Sequence, residues 1–245
     1  MADDASTALA SLSLTHVYYD ADDPISLGCA YLALVPQALC VVYATLILST
    51  REAEIALAFA GQLACEAINF ALKRLIKEDR PRRIHGKGYG MPSSHAQFVA
   101  FWSLSFALFL LVRHRPANGP SSTVTRPRPR DARVGAPHRP WSLPERLLVS
   151  LAAAALAALV AWSRIYLGYH TSRQVLVGTA AGVLSALAWF LATALLRRSG
   201  WLAWALDTPL ARAFRVRDLV VHEDMCQAGW EKWEESRAAA KPKAG

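Results

Sequence analysis

The sequence predicts an all-α fold, an integral membrane helical bundle of about five transmembrane helices. Three observations predict it. Of 245 residues, 53% are apolar and only 19% are charged. The apolar residues collect in five long runs from which charge is nearly absent. Lys and Arg outnumber Asp and Glu by 27 to 19, a net charge of +8, and the excess falls between the runs; basic residues beside apolar spans orient membrane proteins. This balance excludes a disordered chain, a coiled coil and a collagen-like repeat. Four cysteines without metal-ligand spacing exclude a disulfide scaffold.

Residues 1–26 contain five Asp and no Lys or Arg, so they lack the basic start of a secretory signal. Leu27 to Leu48 is an uncharged run of 22 residues, enough to cross roughly 30 Å of hydrocarbon, and Pro36 is expected to kink it. The second run, Ile55 to Leu72, carries Glu66 and Asn69, expected to point inward and to back Lys73. The third is Ala96 to Val112. The fourth, Leu147 to Gly168, carries Arg164 near its exit, and the fifth, Val175 to Leu196, is uncharged. Residues 27–198 thus form a membrane-embedded unit between an acidic N-terminal segment and a tail, 199–245.

Loop 113–146 interrupts that unit. It is rich in Pro, Ser and Arg, with eight Arg against Asp131 and Glu145, and has no hydrophobic periodicity. It reads as a flexible loop retained in the cytosol rather than a nucleic-acid tract, and no nucleic-acid partner is expected. In the tail, Trp201 and Trp204 suit a membrane interface, and Val220 to Arg237 reads as a solvated or peripheral helix. His222 and Cys226 there are too few ligands for a metal site.

Five spans put the N-terminus and connectors 73–95 and 163–174 on one side of the bilayer, with loop 113–146 and the tail on the other, cytosolic, side. Connector 73–95 resists that orientation, because it holds seven basic residues against Glu78 and Asp79. Those charges need another reason, and phosphate binding supplies one.

Three segments on that face hold most of the reactive groups. Lys73 and Arg80 are seven residues apart, close to two helical turns, and Pro81 stops the helix. A lysine point charge beside an arginine fork suits several phosphate oxygens. In the second segment, Pro92-Ser93-Ser94-His95, Ser94 and Gln97 have the spacing of a capping box, which would put Ser94 and His95 at an anion-attracting helix start. In the third, Ser163 to Gln174, His170 and Gln174 are one turn apart, so the Gln174 amide oxygen is expected to accept the imidazole N–H and present the other nitrogen. Arg164 beside a span is costly unless it is paired or lines a polar cavity.

The order Lys-x6-Arg-Pro, Pro-Ser-x-His, Ser-Arg-x5-His resembles the three signature motifs of the type 2 phosphatidic acid phosphatase superfamily. They stand here as Lys73 to Pro81, Pro92 to His95, and Ser163 to His170. The stretches YYDADDPIS, GYGMPSSHAQF and SRIYLGYHTSRQVLVG are most similar to the dolichyl diphosphatase branch. Two positions depart from the superfamily pattern: Ser94 stands where Gly is usual, and Gln174 where Asp is usual.

The resemblance implies His170 as nucleophile through a phosphohistidine, His95 as general acid, and Lys73, Arg80, Arg164, Ser93 and Ser94 around the phosphate, with Gln174 orienting His170. It implies a metal-independent polyprenyl diphosphate phosphatase without cofactors, acting on dolichyl diphosphate at the lumenal face of the endoplasmic reticulum membrane and recycling the carrier lipid for N-glycosylation. A phosphatidate or sphingoid-phosphate phosphatase is the alternative within the superfamily. An inactive lipid-binding scaffold is the alternative outside enzymes, and bare lipid binding requires neither His95 nor His170.

Overall fold

The computed structural model describes residues 9–12, 17–81, 88–115 and 141–240. Five helical segments are long and apolar enough to cross a membrane: Pro24–Thr50, Ala53–Ile76, Ser94–Arg113, Leu143–Tyr166 and Ser172–Arg198. Four of them contain an expected run and extend beyond it, because flanking polar residues continue the backbone hydrogen bonding; the fourth span starts earlier than its expected run and ends at Tyr166, two residues short of Gly168. Leu148, Leu151, Leu159, Leu176, Leu184, Leu191 and Leu195 are exposed along two of these spans. So much outward apolar surface belongs against lipid.

The first span is two helices, α1 (Pro24–Leu32) and α2 (Val35–Thr50). Asp23 caps α1 by accepting the Ile25 N–H at 2.9 Å, and the break at Ala33 and Leu34 lies just before Pro36, which has no N–H to continue the ladder. Helix α3 (Ala53–Ile76) ends at Lys77 in the left-handed region, φ 52°. Helix α4 (Ser94–Leu108) continues as a wider turn, Phe109–Arg113. Helix α5 (Leu143–Tyr166) starts with a capping box between Ser142 and Glu145, and α6 (Ser172–Arg198) with one between Thr171 and Gln174.

Helix α4 is the central element, with Phe98, Val99, Ala100 and Phe101 all buried. It meets α6 at backbone distance. A Cβ added at Gly178 would lie 2.6 Å from the Ser93 carbonyl oxygen, and one at Gly182 would lie 2.3 Å from that of Gln97. Small residues four apart permit such an approach between membrane helices. Gln97 of α4 is fully buried and bridges to α3, accepting from Asn69 Nδ2 at 2.8 Å and donating to the Cys65 carbonyl at 2.8 Å.

That bridge corrects two expectations. Ser93, not Ser94, is the N-cap of α4, and Ser94 is its first helical residue. Gln97 does not return to the cap, because its amide satisfies its burial against α3 instead. Asn69 is inward as expected, but it holds Gln97 rather than Lys73.

Two further parts of the chain pack on the ends of the bundle. A hairpin precedes α1: β1 (Leu9–Leu12) pairs antiparallel with β2 (Val17–Asp20), Leu9 opposite Asp20 and Leu12 opposite Val17. Val17 packs with Cys29, Ala30, Ala33, Leu167 and Tyr169. At the other end, Glu54 accepts from Arg113 at 2.6 Å and Arg197 at 2.5 Å, and Arg197 also pairs with Asp218 of the tail. Fully buried Glu52 accepts the N–H groups of Leu219 (2.8 Å) and Val220 (3.1 Å). The tail is therefore docked up to Val221 rather than merely solvated. It contains α7 (Trp201–Asp207), α8 (Pro209–Ala213) and, five residues later than expected, α9 (Met225–Ala240). Trp201 and Trp204 are exposed. Arg113 and Arg146, taken from sequence as loop residues, are structural: Arg113 holds Glu54, and Arg146 donates to the His114 carbonyl at 2.9 Å. The rest of the Arg-rich loop, residues 116–140, and connector residues 82–87 lie outside the described residues.

Candidate active site

The alternating direction of the spans brings the end of α3, the start of α4, the end of α5 and the start of α6 to one end of the bundle. All eight sequence-selected residues lie there. Lys73 is in the last turn of α3; Arg80 lies on the extended segment after it; Ser93, Ser94 and His95 open α4; Arg164 is in the last turn of α5; and His170 and Gln174 flank the start of α6.

His170 is 3% exposed. Its Nδ1 is 2.9 Å from the Gly90 carbonyl oxygen and 3.3 Å from Gln174 Oε1. A carbonyl oxygen only accepts, so Nδ1 carries the proton and Nε2 the lone pair. The expected partner, Gln174, is thus the longer of two, and the Gly90 carbonyl is the closer. Gly90 is held in turn by its N–H, which donates to the Glu78 carbonyl at 2.7 Å.

Burial pushes the His170 imidazole down to about 3, with Arg80, Arg164 and Lys73 adding to the shift, while the Gln174 hydrogen bond opposes it. Cations disfavour another positive charge on the ring. His170 is therefore neutral at physiological pH, in the form that has a nucleophilic nitrogen. The three cations that add to the effect of burial are the same three that the motifs supply.

Arg164 is 3% exposed, and its Nε and Nη1 find no hydrogen-bond partner among the described residues. Its guanidinium lies 4.1 Å over the Tyr169 ring, while the Tyr169 hydroxyl accepts the Tyr18 N–H at 2.8 Å. The N-terminal hairpin therefore reaches Arg164 through one aromatic ring. Ser93 Oγ is likewise buried without a partner among the described residues, whereas its N–H donates to the Gln174 carbonyl at 3.1 Å. A buried guanidinium with two nitrogens open to partners, at the same end of the bundle as a buried hydroxyl, is chemically fitted to a multivalent oxyanion.

His95 is partly buried, with Nε2 3.1 Å from the Ala33 carbonyl oxygen at the α1–α2 break. The same logic puts a proton on Nε2 and leaves Nδ1 as the nitrogen that can release and take up a second one. A cavity of about 270 Å³ beside it is lined by Pro36, Gln37, Cys40, Glu66, Ser94 and Phe98. Three contributors carry no motif signal in the sequence. They are the Gly90 carbonyl, the Thr171 hydroxyl that caps α6 at Gln174 N (3.2 Å), and Glu78, whose Oε1 accepts from Gln174 Nε2 at 2.9 Å. Backbone acceptors have no residue signature, and Glu78 sits among charges that read as a surface run.

Fold and site together define a multi-pass membrane protein with a buried cationic, two-histidine centre at one end of its helical bundle. A family profile described as the PAP2 superfamily matches residues 52–198, and the chain belongs to that superfamily. A Neurospora crassa protein described as a candidate dolichyldiphosphatase is 58% identical over 98% of this chain and 96% of its own length. Dolichyldiphosphatase 1 of Dictyostelium discoideum is 33% identical over 89% of this chain and 87% of its own length. Dolichyldiphosphatase 1 of Homo sapiens is 40% identical over 74% and 71%. No solved structure matches the chain significantly.

Proposed function

We propose that this chain hydrolyses dolichyl diphosphate to dolichyl phosphate and inorganic phosphate. The observation that carries the reading is the neutral, tethered His170 within the field of Arg80, Arg164 and Lys73, in a chain whose relatives are named for this reaction. The His170 Nε2 lone pair attacks the terminal phosphorus, and the bridging P–O bond breaks. The departing oxygen, on dolichyl phosphate, takes a proton from Nδ1 of His95, which enters this step as the imidazolium. Water then attacks the phosphohistidine phosphorus and gives a proton back to His95 Nδ1, the P–N bond to His170 breaks, and inorganic phosphate leaves. Lys73, Arg80 and Arg164, with Ser93 and Ser94, bind the equatorial oxygens, whose charge must be stabilised through the transition state.

The cavity beside His95 supports a lipid leaving group. Its lining comes from α2, α3 and α4 within the spans, so a group departing toward His95 leaves on the membrane side. The catalytic unit is residues 27–198, in the endoplasmic reticulum membrane. Its site faces the lumen, because the eight-Arg loop 113–146 leaves the bundle at the opposite end and favours the cytosol. The reaction recycles the carrier lipid of N-glycosylation.

The test is phosphate release by the purified chain from dolichyl diphosphate, phosphatidate and sphingosine phosphate. Preference for the diphosphate by at least about tenfold in kcat/KM, some 1.4 kcal/mol of transition-state discrimination, is expected. Equal or better turnover of either monoester overturns the substrate assignment.

A further inference from the structure

Where the superfamily pattern has a carboxylate beside the nucleophile, this chain has the neutral Gln174, and the hydrogen bonds around it show where a carboxylate re-enters. Gln174 is 1% exposed and all its polar atoms are engaged. Nε2 donates to Glu78 Oε1 and to the Asp79 carbonyl, both at 2.9 Å. Oε1 accepts from Thr171 N at 3.2 Å and lies 3.3 Å from His170 Nδ1. The opposite amide orientation would set its oxygen against two acceptors and its NH₂ against two donors. The amide therefore has one orientation, with its oxygen toward the histidine.

We infer that Glu78 is a positioning residue for His170: it holds Gln174 in that orientation and places a negative charge at the far side of the amide from the imidazole. The inference rests on the assignment of His170 as nucleophile. Two arms join Glu78 to the ring. Its carboxylate acts through Gln174, and its backbone carbonyl accepts the Gly90 N–H, while the Gly90 carbonyl in turn accepts the other bond that Nδ1 makes among the described residues. Space between the arms is tight, since a Cβ on Gly90 would lie 2.9 Å from Gln174 Nε2 and 3.0 Å from the Asp79 carbonyl oxygen. Arg80, two residues beyond Glu78, acts on the same imidazole from the phosphate side. One short extended segment thus supplies a cation for the substrate and an anion behind the nucleophile.

The charge logic explains why the carboxylate stands one residue removed. His170 gains positive character as Nε2 bonds phosphorus, and an anion behind it stabilises that change. A diphosphate brings several negative charges to the front of the ring. A carboxylate at 174 would be closer to them, and it would also face the Glu78 carboxylate at the present 2.9 Å contact. The interposed amide passes the polarisation on while keeping the anion back.

The test is a charge exchange across that contact, assayed on dolichyl diphosphate with His170→Ala as control. Glu78→Gln is expected to lower kcat by about 10- to 100-fold with KM little changed, the range over which outer partners of an oriented histidine act. Glu78→Asp is expected to recover part of the loss. Gln174→Glu is expected to lose activity through repulsion, and Glu78→Gln/Gln174→Glu to regain at least about tenfold over Gln174→Glu, because one carboxylate and one amide again face each other. A purely structural role would lower the amount of folded protein in Glu78→Gln while leaving kcat per folded enzyme unchanged. Wild-type kcat in Glu78→Gln, or an exchange variant no better than Gln174→Glu, overturns the inference while an inactive His170→Ala leaves the nucleophile standing. An active His170→Ala overturns both.

Discussion

His95 and His170 are tethered by opposite ring nitrogens. His170 is held at Nδ1 by the Gly90 carbonyl (2.9 Å), and His95 at Nε2 by the Ala33 carbonyl (3.1 Å). The closer acceptor of each ring is backbone, so each tautomer is set even without a side chain that could rotate or titrate. The untethered nitrogens are Nε2 of His170 and Nδ1 of His95, and the proposed roles of attack and proton transfer are divided accordingly.

The first consequence concerns the two histidines separately. His170→Ala is expected to abolish turnover and labelling by the terminal phosphate of a radiolabelled substrate. His95→Gln is expected to slow hydrolysis by about 10²- to 10⁴-fold, the usual range of general acid–base catalysis, and most for poor leaving groups. Equal slowing across a leaving-group series would remove His95 from proton transfer.

The acid side of the pH profile belongs to His170 and its cations. Its folded value, about 3, lies below the ordinary 6.5, so between the two the unfolded chain binds a proton that the folded chain does not. This contribution to stability is complete above the ordinary value and is lost as pH falls toward the folded one. His170→Asn should therefore flatten acid destabilisation in thermal melts. Arg80→Gln should raise the His170 value and move the acid limb of kcat/KM upward by on the order of one pH unit. An unmoved limb means that Arg80 is not near the ring during turnover.

In the proposed mechanism, Lys73, Arg80 and Arg164 fill the charge-neutralising role that divalent ions have in other phosphoryl-transfer sites. Activity is expected to survive EDTA and to be inhibited by vanadate, whose trigonal-bipyramidal form suits attack by imidazole. Loss on chelation with recovery on adding magnesium or zinc would refute the three-cation site.

Orientation can be read with glycosylation acceptors. An acceptor within residues 116–140 is expected to stay unmodified, and one in an N-terminal extension of sufficient length to be modified. The reverse pattern would turn the site toward the cytosol.

The spans and the three motif segments were legible because they depend on local sequence: apolar runs long enough for a bilayer, and reactive residues at helical spacing. What stayed hidden depends on tertiary partners. Ser94 and Gln97 have the spacing of a cap, yet Gln97 is buried against Cys65 and Asn69, and satisfying a buried amide outweighs closing a helix end. Glu78 could not be separated from its charged neighbours, because its distinction is a contact 96 residues away. The hairpin was equally hidden, since Val17 finds its apolar partners in α1 and in Leu167 and Tyr169.

The backbone contact of α4 with α6 bears on how the chain tolerates change. His95 lies in the first turn of one of these helices and His170 just before the cap of the other, so the gap between the two rings is gauged by Gly178 against Ser93 and Gly182 against Gln97. A single methyl group at either glycine would wedge the helices apart while leaving every reacting atom in the sequence. Judged by side-chain chemistry, Gly-to-Ala is among the mildest of replacements; in this protein, at these two sites, it belongs with the damaging ones. A survey of harmful variants that began from the reactive residues would overlook the positions where the enzyme has no side chain at all.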